Sequence, residues 1–397
     1  MKTLSVLVIN LAPLQYPLLN ALAQKGYKLY GNHYNSNNYY NGVHFEKINF
    51  CDRRNLQSIL DFAKSNKIDA VISDQDDASY FAQAYVAEAL RLPGSRIAEA
   101  QVATNKWLQR ERCKEAGILI PKYILCRNLE ETRQACEIIG YPVILKPIDN
   151  QGSWGVSKVK NAQEIPEAFY DTIANAHSRA ILVEEFIEGE EITVDGYVWA
   201  DSGPKTLAIA TKSHLPNRPV AMQMLYPGKL TPEIYNKAAR INEEVIRALG
   251  FKIGMTHTEY MVTTKGDIYL IESANRGGGV LTSQVIVPNV SGIDLVTRLI
   301  DDCLGINSAV KYIEPQKNQV LLKFFELPPG KIRSIEGEEE IRKHPSVLHC
   351  QVNVQIGETV HPIVADSMRH VMFILKEQGD IVRTAEELFA KLHVTYE

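Results

Sequence analysis

Glu259 and Glu272 are two acidic side chains that a short hairpin would bring together. The segment 255–274, MTHTEYMVTTKGDIYLIESA, predicts two strands joined at Lys265-Gly266. If the hairpin is centred on that dipeptide, the two glutamates face each other. Carboxylates about 5 Å apart repel by roughly 3 kcal/mol at an effective dielectric of about 20. A Mg²⁺ ion would offset this repulsion, since it prefers carboxylate and phosphate oxygens; two unrelated strand acids are the alternative.

A glycine-rich loop follows a lysine-ended strand in the segment 144–156, ILKPIDNQGSWGV. Lys146 ends the strand, and Gly152, Ser153 and Gly155 form the loop before the next strand. Glycines allow backbone N–H groups to approach phosphates closely, and the lysine adds a positive charge. The Walker A pattern is absent. The segment therefore predicts a flap over a triphosphate, and an ordinary hairpin with a surface lysine is the alternative.

The segment 183–196, VEEFIEGEEITVDG, places six acidic residues among strand-forming ones. One interpretation is a solvated acidic turn, which is the usual one for a run of charge. The other is a strand whose end offers backbone hydrogen bonds to an adenine base, with one acid reaching the ribose hydroxyls.

Taken together and in this order, these segments resemble the ATP-grasp superfamily over about residues 1–305. The resemblance implies ATP and Mg²⁺ as cofactors, with Mn²⁺ as an alternative ion. Lys106, in ATNKWLQRERCKEAGILIP, and Lys146 match the two lysines that contact the α- and β-phosphates. The remaining matches are the adenine hinge (Glu184, Glu185, Phe186 and Ile187), the ribose acid Glu191, the Mg²⁺ carboxylates Glu259 and Glu272, and Arg276, which stabilises the transferring phosphoryl group.

One position departs from the E-x-N-x-R motif of that superfamily. The sequence reads ESANR, so Ala274 stands where asparagine is usual and Asn275 comes one residue later. A bulge before the glycines would bring Asn275 to the metal as a further ligand. His257 would lie on the metal-facing side of the hairpin, where it is a candidate substrate or phosphate contact, or a structural hydrogen-bonding residue.

Within the superfamily, the chain looks most like amino-acid ligases and carbamoyl-phosphate-synthetase-like ligases. The HTE triplet at 257–259, the three glycines after Arg276 and the extension 306–397 support this subgroup. The implied reaction joins a small carboxylate to an amine, such as an amino acid, through an acyl phosphate, with release of ADP and phosphate. A small-metabolite kinase and a nucleotide-binding regulatory protein are the alternatives. The loop residues Lys212, His214 and Arg218 are candidates for the acceptor pocket.

The elements that must position these residues indicate mixed α/β and α+β architecture. Residues 1–97 alternate strands and helices, which predicts a Rossmann-like domain. No glycine follows its first strand, so no dinucleotide site is expected. Residues 98–305 would form the ATP-grasp domain, with a flap lobe at about 120–186 and a metal lobe at about 187–305, and 306–397 a small α+β extension. The segment 214–230 holds three prolines and predicts a mobile loop.

Composition excludes several classes of protein. Charged residues make up 23% and apolar residues 45% of the 397 residues, which is typical of a globular chain, and the net charge of −4 indicates no affinity for nucleic acid. No apolar run is long enough to span a membrane, and no signal peptide is recognisable. The six cysteines lack metal spacing and predict reduced thiols in a cytoplasmic protein. The sequence leaves the oligomeric state open, and a homodimer is one alternative.

Overall fold

The computed structural model describes residues 3–216, 220–307 and 319–397. Within these ranges, no helix combines the length and the apolar character that crossing a bilayer requires. All six cysteines lie in the described residues; five are buried, and none takes part in a disulfide.

The N-terminal region is the predicted parallel sheet covered by helices. Its strands are hydrogen-bonded in the order β3-β2-β1-β4, all parallel. The first strand, SVLVI, is buried along its whole length, as expected for a parallel strand with helices on both faces. The elements are β1 (Ser5–Ile9), α1 (Tyr16–Gln24), β2 (Lys28–His33), β3 (Lys47–Phe50), α2 (Leu56–Ser65), β4 (Ala70–Ile72) and α3 (Asp77–Ala89).

Two helices, α4 (Ile97–Ala103) and α5 (Lys106–Glu115), lead into a second sheet. The side chain of Asn105 accepts a hydrogen bond from the Leu108 N–H and so caps α5, which fixes where Lys106 begins the helix. The second sheet has the antiparallel order β5-β8-β6-β7 and is called the flap sheet below. Its elements are β5 (Tyr123–Cys126), α6 (Leu129–Ile139), β6 (Val143–Pro147), β7 (Ser157–Val159), α7 (Ile165–Ala174) and β8 (Ile181–Glu185).

The third sheet is the largest, with eight strands in the order β13-β12-β9-β10-β11-β14-β18-β16. Helix α8 packs on it; Thr231 caps this helix, Pro232 opens it, and Gly250 ends it at a φ of 81°. The elements before residue 305 are β9 (Glu190–Trp199), β10 (Gly203–His214), β11 (Ala221–Tyr226), α8 (Pro232–Leu249), β12 (Gly254–Val262), β13 (Ile268–Ala274), α9 (Val287–Ser291) and α10 (Leu295–Leu304).

The extension after residue 305 continues the same sheet. Strand β14 pairs with β11, and β18 and β16 follow it. A three-stranded sheet, β17-β15-β19, lies in the same extension. The elements here are β14 (Gln319–Phe325), β15 (Gly330–Glu336), α11 (Glu338–Arg342), β16 (Val347–Val352), β17 (Thr359–Val360), β18 (Val371–Glu377), α12 (Ile381–Phe389) and β19 (His393–Tyr396). The large sheet therefore spans the expected boundary at 305.

The prediction of a mobile loop at 214–230 is wrong for much of its length. Residues Ala221–Tyr226 form β11, which is hydrogen-bonded to β10 on one side and β14 on the other. The prolines at both ends obscured the strand in the sequence, and its pairing depends on residues far along the chain. Arg218, one of the acceptor candidates, lies outside the described residues.

Candidate active site

Two adjoining cavities lie between the flap sheet and the large sheet. The first, of about 290 Å³, is called the hinge cavity, because the end of β8 lines it. The second, of about 670 Å³, is called the junction cavity, because the N-terminal region, the flap, the large sheet and the C-terminal extension all contribute to its wall. Both cavities are lined by Lys212, Glu259 and Glu272. The two glutamates thus stand where the cavities meet.

The hairpin of β12 and β13 places Glu259 directly opposite Glu272, as predicted. The route to this register differs from the expectation. Near the turn, Val262 pairs with Ile268, which is one residue away from a hairpin centred on Lys265-Gly266. The register then shifts beyond Tyr260, which pairs with Leu270, so Ile271 is an extra, bulged residue. The bulge restores the opposition of the two carboxylates.

This bulge also directs a backbone carbonyl to two cations. The Ile271 oxygen accepts hydrogen bonds from Arg110 Nη2 at 2.7 Å and from Lys146 Nζ at 3.3 Å. Strand β13 is the edge of the large sheet, so its outward carbonyls face no further strand of that sheet. The Ile271 carbonyl therefore joins the hairpin to α5 and to β6 of the flap sheet.

Each glutamate of the facing pair has a lysine partner. Lys106 Nζ lies 2.7 Å from Glu272 Oε2, and Lys212 Nζ bonds to Glu259 Oε1. Although burial opposes it, the charge of Lys106 lowers the pKa of Glu272 to about 2. Burial raises the pKa of Glu259, and Glu191 and Glu272 raise it further against the opposing effect of Lys212. The repulsion expected from the sequence is therefore present but largely offset by cations.

Lys106 is held at the first turn of α5, facing the flap loop. Besides Glu272, its ammonium donates to the Asn150 backbone oxygen at 2.6 Å. Burial favours the neutral amine, but the neighbouring Glu272 charge overrides it and raises the lysine pKa above its usual value. Lys106 is consequently a charged group on the wall of the hinge cavity.

Lys146 belongs to a buried ion network with Glu184 and Arg110. The Glu184 carboxylate lies 2.7 Å from Lys146 Nζ and accepts from Arg110 Nε at 2.8 Å and Nη2 at 3.2 Å. Arg110 is fully buried. Burial lowers the pKa of Lys146 to about 8, because the charge of Glu184 only partly compensates for desolvation. The Glu184 side chain, expected at the adenine hinge, therefore serves to hold these two cations.

If Lys146 contacts a nucleotide phosphate, as the resemblance to the ATP-grasp superfamily implies, this depressed pKa makes nucleotide binding depend on pH. Lys146 is charged below about pH 8 and neutral above it, and a phosphate binds the charged form better. We expect ADP affinity to fall about 30-fold between pH 7 and pH 9.5. Isothermal titration at both pH values measures this. In Lys146→Arg the guanidinium keeps its proton, so the decline should disappear; an equal decline in both proteins would contradict the assignment.

The hinge residues that follow lie along the hinge cavity. Glu185, Phe186 and Ile187 all line it. The Phe186 N–H donates to the Pro142 oxygen at 3.3 Å, which anchors the hinge to the flap sheet. Glu191 also lines the cavity, but its two carboxylate oxygens are engaged by Lys212 at 2.8 Å and His214 at 3.0 Å. Despite burial, the charge of Lys212 and the hydrogen bond with His214 lower the pKa of Glu191 to about 2.

The glycine loop contributes unequally to the two cavities. Gly152 and Ser153 line both of them, as a flap over phosphates requires. Gly155 lines neither. A Cβ on Gly155 would lie 2.7 Å from the Asn175 Cβ, so this glycine is needed for close packing against α7. The predicted nucleotide contact by Gly155 is therefore corrected to a structural role.

Arg276 faces the junction cavity and is tied to the N-terminal region. Its Nε donates to Asp77 Oδ1 at 2.7 Å, and its Nη2 lies 3.4 Å from Gln151 Oε1 in the flap loop. Gln151 Oε1 also accepts from the Asp77 N–H at 3.0 Å. The arginine thereby connects the first residue of α3, the flap loop and the end of β13 at one point.

His257 is oriented by a buried acid. Its Nδ1 lies 2.7 Å from Asp195 Oδ1, and the Tyr226 hydroxyl donates to the other oxygen of that carboxylate at 2.8 Å. The His257 Nε2 lies 3.9 Å from Glu259 Oε1, facing the junction cavity. A Cβ on Gly278 would approach His257 Nδ1 to 2.7 Å, so the glycines after Arg276 allow this close packing.

Asn275 is not placed to ligate a metal, which corrects the prediction. Its Oδ1 accepts from the Tyr80 hydroxyl at 2.7 Å, and its Nδ2 donates to the Ile253 and Met255 oxygens. The bulge that would have turned it toward the glutamates lies instead at Ile271, before Glu272. The amide is therefore buried in a hydrogen-bonded corner away from both cavities.

The donor set at the facing pair fits a magnesium ion shared with a phosphate. In the parts of the chain that the structure describes, no cluster of three or more histidine, cysteine or acidic side chains could hold a metal alone. Glu259 and Glu272 provide two hard oxygen ligands, and Mg²⁺ commonly uses one or two carboxylates together with substrate phosphates.

Two residues of the site, Arg110 and Asp195, were missed by the sequence analysis, and two others, Lys212 and His214, make contacts that it did not predict. Arg110 follows Lys106 by one helical turn, and that spacing was the available signal. Asp195 sits among other acids of β9 and gave no separate signal. Lys212 and His214 were expected at the acceptor pocket; both bond to Glu191 and line the hinge cavity, although Lys212 lines the junction cavity as well.

Comparison with known proteins matches two segments of the chain to family models. Residues 139–284 match the model of the ATP-grasp domain, and residues 323–397 match L-amino acid ligase C-terminal domain 2. The first segment contains Lys146, Glu184, Glu259, Glu272 and Arg276. The second begins within β14.

Relatives with known names agree with these matches. "Uncharacterized protein y4rH" of Sinorhizobium fredii is 28% identical over 277 residues, which is 67% of this chain but 56% of that relative's length. The D-alanine--D-alanine ligase of Geotalea uraniireducens is 29% identical over 219 residues, covering 52% of this chain and 68% of the ligase.

Among solved structures, the L-amino acid ligase from Bacillus licheniformis superposes over 100% of both chains with a TM-score of 0.84 at 20% identity. At 20% identity, this structural similarity supports a shared fold. Together with the family matches, it confirms the mixed α/β architecture that the motifs predicted. The chain thus contains a segment that matches the ATP-grasp domain and a segment that matches L-amino acid ligase C-terminal domain 2.

Proposed function

We propose that the protein is an ATP-dependent carboxylate–amine ligase of the amino-acid type, which acts through an acyl phosphate and releases ADP and phosphate. One observation carries the proposal. A nucleotide-sized hinge cavity and a larger junction cavity meet at Glu259 and Glu272, with Lys212 on the shared wall. A γ-phosphate at that meeting point would be reached by a substrate in the second cavity.

In this proposal, the hinge cavity takes ATP. The backbone of 185–187 lines the base site, and Glu191 lies near the ribose. Lys106, Lys146 and the loop residues Gly152 and Ser153 bind the phosphates. The two lysines lie on a wall that also carries Glu184 and Glu272. Without nucleotide, Lys106 is therefore paired with Glu272, and Lys146 is paired with Glu184. Incoming phosphates would exchange with carboxylates as partners of the two lysines.

Glu259 and Glu272 would hold the Mg²⁺ ion, which neutralises charge on the phosphates when bound. A substrate carboxylate oxygen forms a bond to the γ-phosphorus while the bond from that phosphorus to the bridging oxygen breaks, and ADP leaves. Arg276 offsets the charge on the transferring group. The amine nitrogen then bonds to the acyl carbon, loses a proton and displaces phosphate. His257, held by Asp195, is placed to contact the substrate in the junction cavity.

The ligase is favoured over the two alternatives. The D-alanine--D-alanine ligase relatives and the L-amino acid ligase C-terminal domain support bond formation between amino acids. A kinase would use the same nucleotide site and release a phosphorylated product. A regulatory protein without turnover would not need both lysines, both glutamates and Arg276 together.

A trapping experiment tests the reaction class. Each of the common L-amino acids is supplied singly as the acid, with ATP, Mg²⁺ and hydroxylamine. We expect at least one to give a hydroxamate in step with ADP, because hydroxylamine intercepts an acyl phosphate. Reactions with ADP in place of ATP are the control.

Three other outcomes would overturn the ligase proposal. A stable phosphorylated product without hydroxamate would establish the kinase. AMP and pyrophosphate as the main products would indicate adenylation. No nucleotide turnover with any acid or acid–amine pair would favour the regulatory protein.

The domain division at 97 and 305 is also part of this proposal, with the extension 306–397 contributing strands to the sheet of the metal lobe. The homodimer and the cytoplasmic location stay predictions from the sequence.

A further inference from the structure

Arg369 is a buried cation of the C-terminal extension that the proposed reaction leaves unused. Its residue exposure is 6%, and it lines the junction cavity. Nη1 donates to the Ala221 oxygen at 2.8 Å, and the guanidinium carbon lies 3.7 Å from the centre of the Phe324 ring. The Ala221 carbonyl of β11 therefore occupies one corner of the guanidinium group, and the Phe324 ring of β14 covers one of its faces.

The Nε–H of Arg369 has no hydrogen-bond partner among the described residues. An unpaired buried donor is costly, and most such groups in proteins are satisfied. The nearest acid, Asp366, approaches Nη1 only to 3.6 Å, which is too long for a hydrogen bond. Burial lowers the pKa of Arg369 because that acid compensates only partly for desolvation. The guanidinium thus lacks a full anionic partner.

Asp366 has an unpaired hydrogen-bond acceptor that complements the unpaired donor of Arg369. Its Oδ1 is buried and also lacks a hydrogen-bond partner in the described part of the chain. Asp366 lines the hinge cavity as well as the junction cavity, so it stands on the side where the two meet. An unpaired donor and an unpaired acceptor on one cavity wall match the carboxylate and the ammonium group of an α-amino acid.

We propose that Arg369 and Asp366 form the binding site for the α-amino acid that serves as the amine substrate, with Arg369 gripping its carboxylate and Asp366 holding its nitrogen toward the cavity junction. This inference rests on the proposed ligase function, since it names the substrate of the second step. The carboxylate bound at Arg369 is the one that is not activated. Arg276, which is bonded to Asp77, is assigned to the reacting group.

A binding experiment that needs no turnover tests this site. The common L-amino acids and their α-amides are titrated calorimetrically into the full-length protein with saturating Mg²⁺ and ADP. We expect at least one amino acid to bind, and its amide to bind about 30-fold more weakly because the amide lacks the anionic oxygen, a difference of about 2 kcal/mol. Arg369→Met should weaken binding of the amino acid by a similar factor, and the variant should no longer bind the amino acid more tightly than its amide.

Two further variants keep the result interpretable. Arg369→Lys retains the charge but loses the Nε–H, so about tenfold weaker binding is expected. Arg333→Met is the control: it removes an exposed arginine of the same extension, and this variant should bind the amino acid as tightly as the wild type does. Equal binding of acid and amide to the wild type, unchanged binding in Arg369→Lys and Arg369→Met, or no binding of any amino acid would each overturn the site. Failure of the ligase proposal would appear separately, as absent hydroxamate despite amino-acid binding.

Discussion

Replacing Glu272 with glutamine should reduce nucleotide turnover by about 10³-fold. The change keeps the shape of the side chain but removes one of the two charges that face each other where the cavities meet. Glutamine can still accept a hydrogen bond from Lys106, so the fold should persist. If the two carboxylates had no cationic partners, this substitution would also relieve their repulsion and stabilise the fold. Lys106 and Lys212 already offset that repulsion, so no such gain in stability is expected. Phosphate release at increasing Mg²⁺ concentrations measures the loss.

Asp267→Asn is the matched control for this prediction. Asp267 is an exposed acid at the turn of the same hairpin, so its replacement removes the same charge without touching the cavities. Turnover close to that of the wild type is expected for the control. If Glu272→Gln were as active as Asp267→Asn at every Mg²⁺ concentration, the carboxylate pair would not be the metal site.

Replacing Arg110 with methionine should destabilise the protein by about 3–5 kcal/mol. The arginine is fully buried and binds Glu184 through two hydrogen bonds and the Ile271 carbonyl through a third. Without it, the buried carboxylate keeps only Lys146 as a partner, and the bulged carbonyl loses its shortest hydrogen bond. Urea unfolding followed by circular dichroism gives the change in free energy.

Arg112→Met separates this effect from a general loss of charge on α5. Arg112 is exposed on the same helix, so its replacement should change the free energy of unfolding very little. Arg110→Lys should fall between the two, because lysine keeps the charge but not the bidentate geometry. Equal unfolding midpoints for Arg110→Met and Arg112→Met would show that the buried network contributes no stability.

The parts of the site that lie within one local segment could be predicted from the sequence. The facing glutamates come from a single hairpin, and centring it on Lys265-Gly266 paired them; the true centre is one residue away, and the bulge at Ile271, which was not visible in the sequence, compensates for this. Lys146 was recognisable because it ends a strand before a glycine-rich loop, and Lys106 was recognised only through the resemblance to the ATP-grasp superfamily. The first, parallel sheet was readable because its strands are continuous apolar runs.

The parts that depend on distant pairing could not be predicted. Lys212 meets Glu191 only because β10 lies beside β9, and it meets Glu259 only because β12 lies on the other side of β9. Arg110 of α5 reaches Glu184 of β8 only because the helix packs against the flap sheet. Asn275 was assigned to the metal because a shifted motif suggested a shifted bulge; local spacing cannot tell on which side of Glu272 the extra residue falls. Strand β11 is stabilised by its two neighbours rather than by its own composition.

The continuity of the large sheet limits how such an enzyme can be rearranged by exchange of parts. Strand β14 supplies the partner of β11 from Gln223 to Tyr226, and Arg369 donates to the β11 carbonyl at Ala221. Deleting residues 319–397 would leave β11 as an unprotected edge, which favours aggregation. A transplanted C-terminal segment would have to reproduce the register of the β11–β14 pair, so β11 and the extension are best regarded as a single unit of inheritance and of engineering.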